Sequence, residues 1–332
     1  MLRRIMGMFD LAAANLLSPM VLFFALGFMA AMARSDLTIP EQIAKGMALY
    51  LMLSIGFKGG VEVNRSGIDA RFVGAALAGI VLSAAIPVIG YWLLRKTSKL
   101  SPVDAAAVAA HYGSISIVTF VAATETVRMA GLAFEGYLIA IAAIMETPAI
   151  LTALLIARRA MPERKGEPLG ALLHEIGFNG SIVMLVGSFV IGAITGPDGM
   201  KMISPFIIDP FRGVLCLFLL DMGLVAGRGL AQGGRLLSLP VILFGLYMPL
   251  ISATLAALFC LTLGLSPGGT ALMITLTASA SYIAVPAAMR LALPEARPAV
   301  YLTLSLAVTF PFNLTLGIPL YLWLAGKVSG GG

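Results

Sequence analysis

The stretch GMALYLMLSIGFKGG, residues 46–60, has a second copy in the chain: set against GVLCLFLLDMGLVAG, residues 213–227, its Gly46, Gly56 and Gly60 fall on Gly213, Gly223 and Gly227. Nearly the same offset brings Ser101 and Pro102 onto Ser266 and Pro267, and Ser114 and Ser116 of HYGSISIVTF onto Ser279 and Ser281 of ASASYIAVP. A register held from one end of the chain to the other marks an internal repeat, and it divides the sequence into residues 1–165 and 166–332.

Both copies are apolar. Of 332 residues, 59% are hydrophobic and 11% charged, with a mean hydropathy of +0.98, too little polar surface for a soluble globule of this size. The chain reads as an all-α polytopic membrane protein. A bilayer core of about 30 Å takes about 20 helical residues. Ten runs fit: 18–34, 40–57, 71–95, 102–128, 137–159, 174–195, 209–228, 237–264, 268–290 and 298–325. Pro, Gly and charge separate them, as in RSDLTIPEQ, KGGVEVNRSGIDAR and TGPDGMK. Five helices per copy is an odd number, so the second copy enters the membrane from the opposite side. Two inverted five-helix repeats are the organisation of many secondary transporters.

The net charge of +6 is scattered between apolar runs without a continuous stripe, which argues for loop charge and against nucleic-acid binding. An N-terminus outside places thirteen Lys and Arg on the inner face, the basic 159–173 loop among them, and nine on the outer. Cys216 and Cys260 lie within apolar runs and lack metal or disulfide spacing. The first run carries no small-residue cleavage site and reads as a spanning helix rather than a signal peptide.

Gly113 and Ser279 stand about eleven or twelve residues into their helices, which at roughly 1.5 Å per residue is close to the bilayer midplane. Irregular backbone at that depth is tolerated only where protein buries it or a cavity meets it, and half-helix N-termini there would offer free N–H donors to an anion. The candidate substrate site is therefore Gly113, Ser114, Ser116, Thr119, Ser279, Ala280, Ser281 and Tyr282. Hydroxyl oxygens of Ser116, Thr119, Ser279 and Ser281 could also hold Na+, and Pro286 would free a carbonyl for it. Deeply placed polar residues are candidates for ion coupling: Asp221, Glu146 with Thr147, and Thr309 and Asn313 of TFPFN. His111 reads as a helix-contact histidine. Removing the Ser116 or Ser281 hydroxyl should weaken binding by about 0.5 to 1.5 kcal/mol. Gly113→Val, if the ligand approaches the backbone there, should abolish transport and spare the fold.

Two other classes fit less well. A hydrolase built on His111 and Ser114 would lack any marked oxyanion hole and leave the duplicated serines unexplained. A structural or sensory module would show no gradient-driven accumulation. Within transporters, a proton-coupled carrier of another small inorganic or organic anion is the alternative, with Asp221, Glu146 and Tyr282 as its plausible proton-handling groups.

The runs SPMVLFFALGFMAA, IPEQIAKGMALYLMLSIGFKGG, FEGYLIAIAAIMETPAI, DPFRGVLCLFLLDMG and ASASYIAVPAAMR together resemble the cyanobacterial-type sodium-dependent bicarbonate transporter family, over nearly the whole chain. The resemblance implies ten helices in two inverted repeats, a core moving against a gate, a homotrimer in a bacterial cytoplasmic membrane surrounded by its lipids, and bicarbonate and Na+ sites where the fourth and ninth helices meet. By position, the family's small and hydroxyl residues fall on Ser116, Thr119, Ser279 and Ser281. The chain departs from the family where a Ser-Ser-Ser-Asp run would stand: it reads Ser279, Ala280, Ser281, Tyr282, without the acid, and Ile117 and Val118 follow Ser116. Glu146 stands where the family has an aspartate. The long insertion between helices five and six is missing, so binding of a PII-like cytoplasmic regulator is an expectation from the resemblance alone.

Overall fold

The computed structural model describes residues 16–67, 70–160, 180–234, 237–282, 285, 286, 289 and 293–329, and these contain helices without a strand. In chain order they are α1 (Pro19–Met32), α2 (Glu41–Ser66), α3 (Ala70–Thr97), α4 (Pro102–Gly113), α5 (Ile117–Met129), α6 (Leu138–Ala160), α7 (Gly180–Ile207), α8 (Phe211–Gly233), α9 (Leu239–Leu263), α10 (Pro267–Ala278) and α11 (Pro298–Val328), the last with π-helical stretches Leu304–Thr309 and Asn313–Gly317. Among the described residues eight helical spans, counting α4 and α5 as one, are long and apolar enough to cross a membrane, and α1 is a shorter apolar helix. The expected run 268–290 ends its first helix at Ala278, and part of its remainder lies outside the described residues, as does most of the basic 159–173 loop.

Glycines decide how the first two helices of each half pack. α1 lies against α8, and α2 against α7. A Cβ on Gly60 would overlap the Phe189 carbonyl oxygen, and one on Gly56 the Ser188 hydroxyl and the Leu185 carbonyl. On α8, Gly223 and Gly227 meet the carbonyls of Phe24 and Phe28 in the same manner. Gly27 and Gly192 answer from the opposite side, against Leu220 and Phe57. Between membrane helices, close backbone approach supplies the van der Waals contact that a hydrophobic drive would supply in water, and only small residues allow it. The third aligned pair, Gly46 and Gly213, meets nothing within 4 Å among the described residues. The contacts also give direction. Phe24 and Phe28 meet Gly223 and Gly227 in the same order, so α1 and α8 run parallel; Leu185 and Phe189 meet Gly56 and Gly60 likewise, so α2 and α7 run parallel.

Two helices are longer than expected. α2 continues past residue 57 to Ser66, and α7 passes through TGPDGMK, read from sequence as a turn, to Ile207. The turn signal is real but local: Gly196 adopts φ 57° and ψ −148°, and helix resumes at once. Pro197 has no N–H for the Ala193 carbonyl four residues back, and Asn64 of α2 takes that carbonyl instead through Nδ2, at 2.8 Å. Polar residues that look like loop in the sequence thus repair a kink in the neighbouring helix.

Candidate functional site

α4 and α10 are built alike. Each begins with a serine N-cap and a proline at the first helical position: Ser101 Oγ accepts the Asp104 N–H at 3.1 Å, and Ser266 Oγ accepts that of Gly269 at 3.0 Å. Each is then tied to a distant loop. Asp104 accepts the Arg297 backbone N–H at 2.8 Å and its guanidinium at 2.8–2.9 Å, while Glu135 accepts the Ser266 N–H at 2.7 Å. Each ends at a serine of nearly the same conformation, Ser114 (φ −86°, ψ 165°) and Ser279 (φ −84°, ψ 167°). α3 and α6 flank α4, as α9 and α11 flank α10.

The two breaks meet. The Ser116 N–H donates to Ser279 Oγ at 2.8 Å, and the Ser281 N–H donates to the His111 carbonyl at 2.7 Å. Ser116 caps α5, its Oγ accepting from Thr119 N–H at 3.2 Å and from Thr119 Oγ1 at 2.9 Å. Ser281 Oγ accepts the Val285 N–H at 3.5 Å. Ser279 Oγ donates to the Leu276 carbonyl at 2.8 Å. Asn313 takes the Ala278 carbonyl at 3.0 Å and is held by the Tyr321 hydroxyl at 2.7 Å. Thr309 donates to the Gly245 carbonyl at 2.8 Å, so the Tyr112 hydroxyl donates to Thr309, at 2.5 Å. Ala280 is buried, and the buried Tyr282 ring packs edge-on against Phe310 with its hydroxyl toward Ser116.

Some polar groups at this junction have no protein partner among the described residues. The α5 N-terminus leaves the buried amides of Ile117 and Val118 without an acceptor, as helix geometry demands of a first turn unless something caps it. The Ser114 hydroxyl and His111 Nε2 are likewise buried and unpaired. His111 donates through Nδ1 to the Ala107 carbonyl at 2.6 Å, so its Nε2 is an acceptor. This residue, read from sequence as a helix contact, stacks on Tyr301 and also joins the two breaks through its carbonyl. Donors and acceptors converge here with no charged side chain among them. Among the described residues, no group of three or more His, Cys, Asp or Glu could hold a metal ion.

The remaining candidates lie elsewhere. Asp221 is buried in α8, next to the Leu220 and Gly223 contacts with α1, and Glu146 is buried in α6. The side chain of Thr147 lies outside the described residues. Neither acid has a hydrogen bond or ion pair to the two breaks among the described residues. Gly113 has a packing reason: a Cβ there would overlap the Pro87 ring of α3 and crowd the Ser83 carbonyl. Ser83, which the sequence reading passed over, inserts its hydroxyl into α6 beside Pro148, donating to the Met145 carbonyl and accepting the Ala149 N–H. The only local signal was a serine four residues before Pro87.

Ser279→Ala tests the junction. It orphans the buried Ser116 N–H, so the expected result is a loss of about 1 to 3 kcal/mol in detergent unfolding together with reduced transport, whereas loss of a bystander hydroxyl would leave both near wild type.

A family model described as the Na+-dependent bicarbonate transporter superfamily matches residues 19–326. No curated protein matches the chain.

Proposed function

We propose, for a chain that belongs to the Na+-dependent bicarbonate transporter superfamily and is therefore an integral membrane transporter and not an enzyme, that it carries bicarbonate together with Na+ through the junction of the two helix breaks. The observation that carries this reading is the α5 N-terminus: two buried backbone amides, Ile117 and Val118, without acceptors among the described residues, beside the Ser114 hydroxyl, likewise unpaired there. An oxyanion of bicarbonate size is the ligand such donors suit. Na+ would be held by neutral oxygens, with the hydroxyls of Ser116, Thr119, Ser279 and Ser281 as the candidates; Thr119 Oγ1 accepts no bond among the described residues and Ser279 Oγ accepts one, whereas Ser116 Oγ already accepts two.

We read the fold as ten helices in two inverted five-helix repeats, residues 1–165 and 166–332. The support is the exchange of packing: parallel α1 and α8, parallel α2 and α7, glycines with the same task at equivalent positions, and two broken helices tied in the same way. The junction would then lie near the midplane. A homotrimer in a bacterial cytoplasmic membrane is the matching assembly and location.

A site with no charged side chain among the described residues has a consequence for coupling. An anion alone or a cation alone would each face the cost of burial in low dielectric, several kcal/mol per ion, whereas the two together form a neutral pair. Obligatory entry of one Na+ with one bicarbonate follows, with no net charge moved. A second reading has one observation in its favour: Glu146 is a buried carboxyl with no hydrogen-bond or ion-pair partner among the described residues, a place where a proton could be held. Uptake of labelled bicarbonate into proteoliposomes, with the sodium gradient and the pH gradient collapsed separately, decides between them. Loss of accumulation on removing the sodium gradient alone is expected; loss on removing the pH gradient alone would install the proton-coupled reading.

A further inference from the structure

Two clefts occupy equivalent places in the two halves. One, of about 500 Å³, lies between α2 and the loop after α5, with Lys58, Glu62, Arg65, Arg128 and Phe134 in its walls. The other, of about 390 Å³, lies between α8 and α11, with Val225, Arg228, Gly229, Gln232, Leu302 and Leu306 in its walls, the Arg228 guanidinium donating to the Leu37 carbonyl at 2.7 Å. In the alignment that matches Gly56 with Gly223, Lys58 falls on Val225, Glu62 on Gly229 and Arg65 on Gln232. The clefts open at opposite ends of the helices. α8 begins beside the first cleft, where Arg212 pairs with Glu125 at 2.9 Å, and reaches the second near its C-terminal end.

The chemistry of the two differs. Glu62 pairs with Arg65 at 3.1 Å, and Glu125 holds both Arg128, at 3.2 Å, and Arg212. Lys58 has no carboxylate within ion-pair distance among the described residues; its ammonium sits 4.1 Å from the centre of the Phe211 ring, and the charges of Arg128, Glu125 and Arg212 all reach it, the two arginines repelling and the glutamate attracting. The cleft thus holds one half-buried lysine without an ion-pair partner among the described residues, whereas its counterpart has Val225 at that position and carries its cation, Arg228, on the Leu37 carbonyl.

We propose that the Lys58 cleft is a capture site for a small monovalent oxyanion. The inference rests on the reading that the chain transports such an anion. A cationic cleft with low-dielectric walls raises the local concentration of its anion and the rate at which it arrives. The charge count places the Lys58 cleft outside.

The test uses the full chain in proteoliposomes of neutral lipid. Lys58→Met should raise the half-saturating bicarbonate concentration about three- to tenfold at low ionic strength and leave the maximal rate unchanged, and the difference should vanish when choline gluconate raises ionic strength at fixed sodium. Lys58→Arg should stay close to wild type. The same half-saturation in Lys58→Met and wild type at low ionic strength would overturn the proposal. So would an effect that follows added phosphatidylglycerol and not bicarbonate, because the lysine would then serve lipid headgroups. Amine labelling separates this claim from the transport reading. Bicarbonate should slow modification of Lys58 by trinitrobenzenesulfonate at least twofold relative to gluconate at equal ionic strength, even in a preparation that accumulates nothing; equal rates would overturn capture whatever the vesicles transport.

Discussion

Gly60→Leu and Gly223→Leu should each cost the protein more folded yield and thermal stability than any conservative change elsewhere, and by similar amounts. In both cases the new side chain meets backbone, the Phe189 carbonyl in one and the Phe24 carbonyl in the other, and backbone cannot rotate out of the way. Overpacking commonly costs about 1 to 3 kcal/mol, and a helix pair forced apart along its length belongs at or above the upper end. Gly46→Leu and Gly213→Leu supply the control, because neither glycine has a neighbour within 4 Å among the described residues. Those two variants should unfold within about 0.5 kcal/mol of wild type. Thermal unfolding in detergent reads all four. Unequal losses in the first pair would mean that the two halves do not share one packing scheme.

Gly113→Val is the second large effect, and here the structure reverses the reading drawn from sequence. A glycine at a mid-helix break suggests a backbone approached by ligand, which a bulkier residue would block without harm to the fold. The contacts point the other way, toward the Pro87 ring and the Ser83 carbonyl. A rigid proline ring offers no escape, and Ser83 is itself fixed by its two bonds to α6. The expected result is a loss of about 1 to 3 kcal/mol or more in unfolding and a fall in monodisperse protein, with any loss of uptake following the loss of fold. A variant as stable as wild type yet unable to transport would restore the sequence reading.

The two breaks could be found in the sequence because glycine and serines interrupt apolar runs twice at one register, and the caps Ser101–Pro102 and Ser266–Pro267 announce the helices that lead to them. What holds the breaks together could not. Ser116 and Ser279 are 163 residues apart, and neither position says that the N–H of one donates to the hydroxyl of the other. The same distance hides the task of Asn313, which looked like an ion ligand and takes up the last carbonyl of α10. Helix ends were misplaced where polar residues serve a neighbour, as Asn64 does for α7. Lys58 counted from sequence as one more outer charge; its isolation depends on Glu62 and Glu125 being engaged by arginines, and while Arg65 and Arg128 stand three residues on in the same helices, the Arg212 bond to Glu125 comes only with the packing.

The central claim, a neutral junction that admits Na+ and bicarbonate as a pair, meets its most direct test in proteoliposomes that take up labelled sodium and labelled bicarbonate under an imposed membrane potential. Equal molar uptake of the two, abolished without sodium and unchanged in rate by an inside-negative potential, is the predicted result. Bicarbonate accumulation without sodium, or a rate that rises with inside-negative potential because more than one Na+ enters with each anion, would contradict it.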